Sequence, residues 1–187
     1  HEQKRGINAG YAKFETFPVW NLELKHPVNL AYEAATADLK DVNMIDSFHL
    51  SEYGKTAVNY NRDVQSFPVL KAILSKITGK DIYKSPTDMG VNMIGECIVK
   101  DDVVRKAATN EVIRRYYQAK VDYKKGKGTL EAVTRIKLLM NELNVTGEDL
   151  DTVGACLKKS KSENKNVLAI KLSNKKIVTG KETELLS

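Results

Sequence analysis

Very little in this chain points to a special environment. Only two cysteines, Cys97 and Cys156, occur in 187 residues. That is too few for a disulfide framework or a cysteine-built zinc cluster. No apolar run approaches the ~18 residues that a membrane-crossing helix needs. The opening His1-Glu2-Gln3-Lys4-Arg5 is not followed by the apolar core of a signal peptide. These shortages give the expectation of a cytoplasmic chain that makes no membrane contact. The phosphate-loop pattern Gly-x-x-x-x-Gly-Lys and the dinucleotide pattern Gly-x-Gly-x-x-Gly are both missing. Internal repeats and low-complexity segments are missing as well. From the residues alone, no reaction can be assigned.

What is present is ordinary globular material, 42% hydrophobic and 29% charged. The length suits one domain or one and a half, with enough chain to bury a core. The net charge of +6 is unevenly spread: residues 1–90 hold 11 basic and 11 acidic side chains, and residues 91–187 hold 19 and 13. All four prolines and ten of the thirteen aromatics lie in the first 90 residues. Two differently built halves therefore meet near 90–100.

In the first half, residues 7–30 read as extended and irregular, interrupted by Pro18 and Pro27. Asn29 is placed to cap a helix through about Lys40, packed by Leu30, Ala34 and Ala37. A helix is expected from about Asp63 to Ile77, with Val64, Phe67, Leu70, Ile73, Leu74 and Ile77 on one stripe. Gly79 is its expected C-terminal cap. Residues 91–99 fit a strand or a helix start equally well. In the second half, a helix runs from Asp101 to about Lys125 and a second starts at Thr129, burying Leu130, Val133, Ile136, Leu139 and Met140. Thr146-Gly147-Glu148-Asp149 has the form of a capping box and opens a third helix with Leu150, Val153 and Leu157 inward. Two short strands, 167–172 and 176–178, flank a turn at Ser173-Asn174-Lys175. The pair Leu185-Leu186 reads as the start of a further helix. The fold class is a helix-rich α+β. Residues 1–95 form an irregular part of a larger α/β multidomain protein, 101–162 a three-helix subdomain, and 166–187 a C-terminal β-hairpin opening a further subdomain.

Several groups could carry chemistry. Asp38, Asp41, Asn43, Asp46 and His49 form the densest polar constellation. Its spacing matches no known metal site, and surface acids with caps are the simpler reading, so no metal ligands are assigned. Asp46 and His49 remain the candidates for acid–base work. Lys25, His26 and Asn29 stand at a helix start, where free N–H groups favour an anion. Asn59, Asn61 and Arg62 mix amides and a base suited to ligand contacts, and Asp88 sits in a similar turn-rich stretch. Each has a structural alternative as a cap or loop anchor. Cys97 and Cys156, set among apolar residues, read as buried free thiols. The basic residues of 101–125 are interleaved with acids, so nucleic acid is an unlikely partner.

Long sequence words carry a resemblance. They are residues 4–18 (Lys4 to Pro18), 25–39 (Lys25 to Leu39), Asn43-Met44-Ile45-Asp46, Asn59-Tyr60-Asn61-Arg62-Asp63 and 85–93 (Ser85 to Met93). In this order they closely resemble a bacterial family defined by the domain of unknown function 1846. The resemblance covers the chain and is densest over 4–95. It implies a parent of about 500 residues, of which this chain is an internal segment. It also implies a Gly-Pro-Gly-Ser-Gly-Lys phosphate-binding stretch upstream and a helix rich in small residues downstream. The expected parent is then an enzyme that binds a phosphorylated ligand such as a nucleotide with magnesium. Lys25, His26 and Asn29 would lie near an anion, Asp46 and His49 would act as polar or acid–base groups, and Asn59, Asn61, Arg62 and Asp88 would contact ligand. The competing expectation is a homo-oligomerisation module without catalysis.

Overall fold

The computed structural model describes residues 5–7 and 17–183. The readings for 8–16 and for Leu185-Leu186 lie outside the described residues. Among the described residues there are seven α-helices and two separate two-stranded antiparallel sheets, so the chain is helix-rich and ends in the expected hairpin. Helix α1 spans Pro27–Ala35, strand β1 Asn43–Ile45, α2 Ser47–Tyr53, β2 Val58–Tyr60, α3 Asn61–Thr78 and α4 Pro86–Met89. Then come α5 (Asp101–Lys124), α6 (Leu130–Glu142), α7 (Asp151–Glu163), β3 (Val167–Lys171) and β4 (Ile177–Lys181). No described helix is long and apolar enough to cross a membrane.

Helix α1 starts earlier than its sequence suggests. Pro27 takes the first helical position, where its missing N–H costs nothing, and His26 is the cap, its Nδ1 accepting from the Val28 N–H at 3.2 Å. Asn29, expected to be the cap, is instead wholly buried inside the helix. Small residues on α1 let it lie close on α5 and α6. Leu30, Ala34 and Ala37 join Val112 and Ile113 of α5 and Ala132, Ile136, Leu139 and Met140 of α6 in one core. Val112 and Ile113 are completely buried, and each contributes about 1.5–3 kcal/mol through burial. Leu130 is exposed rather than buried, because it is the first residue of α6 and precedes the packing stripe. Thr129 caps that helix as expected, accepting from the Ala132 N–H at 3.2 Å.

Helix α7 has no buried residue; Leu157 stays exposed, and the helix lies chiefly against β3 and β4. Charged groups reinforce that contact. Glu163 meets Lys159 at 2.9 Å on its own helix and Lys181 of β4 at 2.6 Å. The two ammonium groups, Lys181 foremost, push its carboxyl down to about 2 from an ordinary 4.5. A depressed carboxyl stabilises the fold above its unfolded value and loses that contribution as pH falls through the folded one. The hairpin should therefore loosen from α7 between about pH 4.5 and 2, and high salt should mimic this at neutral pH. Amide exchange of β4 against pH is the check, and exchange that does not change over this window would remove Glu163 from the contact.

Several bases of the second half are paired with acids close by. Arg105 pairs with Asp101, Arg114 and Arg115 with Glu111, Arg135 with Glu131, and Lys171 with Asp151. Cys97 is exposed and Cys156 half-buried, its thiol donating to the Val167 carbonyl. The expectation of two buried thiols fails because 93–97 is a surface 3-10 turn, not a core strand.

Candidate ligand cleft

The polar words of the first half fold into a connected knot. Ser85-Pro86-Thr87-Asp88 is a capping box: the Ser85 hydroxyl accepts from the Asp88 N–H, and the Asp88 carboxylate accepts from the Ser85 N–H at 3.0 Å. Asp46, wholly buried, caps α2 with one oxygen, accepting from the N–H groups of Phe48 and His49, each at 3.0 Å. Its other oxygen accepts from the Thr87 N–H at 3.1 Å and the Thr87 hydroxyl at 2.6 Å. One carboxylate thus joins two helix starts 41 residues apart in sequence. Asn59 on β2 donates to the same hydroxyl at 2.9 Å. His49 approaches Ser85 Oγ at 3.2 Å and stacks obliquely on Tyr53, whose hydroxyl donates to Asp88 at 3.0 Å. Burial would raise the Asp88 carboxyl. The N–H groups of Lys84 and Ser85 and the Tyr53 hydroxyl outweigh it and hold the carboxyl below its usual range.

This knot is one wall of a cleft of about 560 Å³. The opposite wall is α3, through Asp63 and Leu70. Leu70, Pro86, Met89, Val91, Met93 and Phe17 supply apolar surface, and Asn59, Asp63 and Asp88 supply the polar groups. The segment carrying Val91 and Met93 is fixed by buried Asn92. Its amide donates to the Phe17 carbonyl at 2.9 Å and to the Tyr32 hydroxyl at 3.1 Å, and its Oδ1 accepts from the Ile94 N–H at 3.1 Å.

The structure brings four of the candidate residues together: Asp46, His49, Asn59 and Asp88. The others lie elsewhere. Asn61 Oδ1 accepts from the Val42 N–H at 2.9 Å, and Arg62 pairs with buried Asp41 at 3.3 Å; both tie the start of α3 to the segment leading into β1. Lys25 is exposed and paired with Glu142 of α6 at 3.3 Å. His26 is buried, its Nε2 2.9 Å from Asp101, whose carboxyl is held low by Arg105 and by this imidazole. Asn29 accepts from the Val19 N–H at 2.7 Å and donates to the carbonyls of Val19 and Glu23. Of the acid constellation, Asp41 and Asp46 serve different contacts. No group of three or more His, Cys, Asp or Glu among the described residues is placed to hold a metal ion. Sequence reasoning missed Leu70 and Met93, and it placed 25–63 and 84–92 around a pocket without singling out Asp63 and Met89 as cleft walls or Thr87 as the centre of the knot. The Ser-x-x-Asp spacing at 85–88 was the available signal for the latter.

With this geometry in place, residues 1–144 match the family described as Domain of unknown function DUF1846, N-terminal. The chain belongs to the DUF1846 family. It is 58% identical to a UPF0371 protein of Streptococcus thermophilus over 185 residues, covering 99% of this chain and 37% of the relative. A UPF0371 protein of Streptococcus sanguinis matches at 58% and one of Streptococcus pyogenes at 57%, with the same coverage. The DUF1846 segment thus spans little more than a third of the length of these relatives. Two of the words that carry the family resemblance, 43–46 and 85–93, meet in the knot and the cleft beside it.

Proposed function

We propose that this DUF1846 segment supplies one wall of a small-ligand site in the longer UPF0371 proteins. The ligand class we favour is a phosphorylated molecule, a nucleotide with magnesium. The observation that carries the reading is the cleft itself: concave, mostly apolar, with three polar side chains converging on it, as ligand sites are built. Its charge decides which end of a ligand it takes. Among the described residues lining it there are two carboxylates and no Lys or Arg. A phosphate would be repelled there. Hydroxyl or amino donors, as on a sugar or a base, would pair with Asp63, Asp88 and the Asn59 amide oxygen. The phosphate grip then belongs to another part of the longer protein. In this reading Asp46 and His49 hold the wall in shape, while Asn59 and Asp88 face the ligand.

The test is thermal shift on a full-length family protein carrying this segment, with ATP, ADP, GTP and unphosphorylated adenosine, each with and without magnesium. A ligand at 100 times its Kd stabilises the folded state by about 2.7 kcal/mol. Nucleotides should raise the melting temperature, and Met89→Trp, which fills the cleft from an exposed position, should abolish the shift without lowering the unliganded melting temperature. No shift with any of these compounds overturns the reading. A nucleotide shift that survives Met89→Trp places the site elsewhere.

A further inference from the structure

Helix α3 carries a core-facing stripe with no core against it. Its first half is anchored: Val64 and Phe67 are buried, and the Phe67 ring lies 4.9 Å from Phe48. After Phe67 no residue of the helix is buried, although Val69, Leu70, Ile73, Leu74 and Ile77 are all aliphatic. Val69 is 63% exposed, Ile73 49% and Ile77 75%. These three recur at i, i+4 and i+8, one ridge of a helix, with Leu70 and Leu74 forming the adjacent ridge.

The exposed half is not a frayed end. Gly79 caps it in the left-handed conformation, at φ 68°, with its N–H donating to the Ser75 carbonyl at 2.8 Å. The Thr78 hydroxyl donates to the Leu74 carbonyl at 2.8 Å. Lys71 and Lys84 both reach Asp81, pinning the chain that follows. Sequence and capping therefore specify a helix to Thr78, while short helices draw their stability from tertiary packing.

We propose that the Val69–Ile73–Ile77 ridge, with Leu70 and Leu74, is an interface with another part of the same polypeptide in the full-length proteins. The inference does not need the ligand reading, although Leu70 belongs to both surfaces. More than half of each UPF0371 relative lies outside the stretch that this chain matches. A surface in that remainder is held near the ridge at an effective concentration of order millimolar, well above that of a second free copy. The occupant is an aliphatic helix face or sheet face, since the ridge offers neither charge nor hydrogen-bonding side chains.

Hydrogen exchange on a full-length family protein carrying this segment, run alongside sedimentation, tests this. The amides of 69–78 should exchange as slowly as those around Val112 and Ile113, in a monomer and at every protein concentration. Ile73→Asp and Ile77→Asp should each lower the melting temperature by several degrees and speed exchange over 69–78. Fast exchange of 69–78 in the wild type overturns the proposal. So does protection that appears only at concentrations where a dimer sediments, which assigns the ridge to a second copy.

Discussion

Replacing Asp46 by Ala should destabilise the protein by about 3–5 kcal/mol, a large fraction of the 5–15 kcal/mol that holds a typical domain together. The carboxylate is wholly buried and accepts four hydrogen bonds. Loss of the α2 cap alone costs about 1–2 kcal/mol. The Thr87 N–H and hydroxyl would lose a charged acceptor, at about 1.5–3 kcal/mol for such a bond. Asp46→Asn is the sharper experiment. Its amide oxygen keeps the α2 cap, but its NH2 would confront the Thr87 N–H, donor against donor, so about half of the loss should remain. Trp20, the only tryptophan of the chain, has its ring 6.2 Å from His49 and reports the event by fluorescence in denaturant. A double-mutant cycle with Thr87→Val should give a coupling of about 1–2 kcal/mol. Zero coupling would mean that the Thr87 hydroxyl, as distinct from its N–H, does nothing to hold the two helix starts together.

This knot also shows what could and could not be read from the sequence. Helices α5 and α6 were legible because each has a periodic stripe and a boundary residue, Gly126 after α5 and Thr129 before α6, whereas the residues expected to face inward on α7 are not buried. The hairpin followed from two β-rich runs around Ser173-Asn174-Lys175. The first half defeated periodicity, because side-chain amides and carboxylates rather than apolar stripes position its short elements. Asn29, Asn43, Asn59 and Asn92 each bond to chain more than nine residues away, and residue type alone cannot tell such an anchor from a ligand contact. Asp46 and His49 are acid–base candidates by residue type, which does not disclose that Asp46 caps α2 and holds Thr87. The α3 stripe was read correctly as apolar, but its occupant cannot be read from this chain, since no described element covers it.

The tyrosine at the end of β2 connects this polar architecture to the core. Tyr60 is buried, donates to the Tyr32 carbonyl at 3.2 Å, and has its phenol pushed up to about 12, mainly by burial. A phenol whose folded value is raised stabilises the fold at neutral pH and loses that contribution between about pH 10 and 12. The packing around β2 should therefore weaken as pH rises from about 10 to 12.

Asn29 should rival Asp46 in effect. It is wholly buried in α1, with its oxygen on the Val19 N–H and its NH2 donating to the Val19 and Glu23 carbonyls. These bonds are the seam between α1 and the irregular segment 17–23, which in turn bridges Asn92 beside the cleft. Asn29→Ala leaves the Val19 N–H without its partner and takes one of two bonds from each carbonyl, which still accept from the Leu22 and His26 N–H groups. The orphaned N–H costs about 1–3 kcal/mol and each lost carbonyl bond about 0.5–1.5 kcal/mol, so a total loss of about 2–4 kcal/mol is expected. Asn29→Asp separates the two sides of the seam. A carboxylate still accepts from the Val19 N–H but faces two carbonyl oxygens with no proton to give. Burial and that repulsion raise its folded pKa above the unfolded ~3.9. A raised carboxyl is tolerated below the unfolded value and destabilises as pH rises through the folded one. Asn29→Asp should therefore approach wild-type stability near pH 3.5 and fall behind it by neutral pH, whereas Asn29→Ala should show a gap that does not depend on pH. Denaturation midpoints of the three proteins at several pH values decide it. A pH-independent Asn29→Asp deficit would mean that the two carbonyls do not face this side chain, and that the seam is held by something other than its amide.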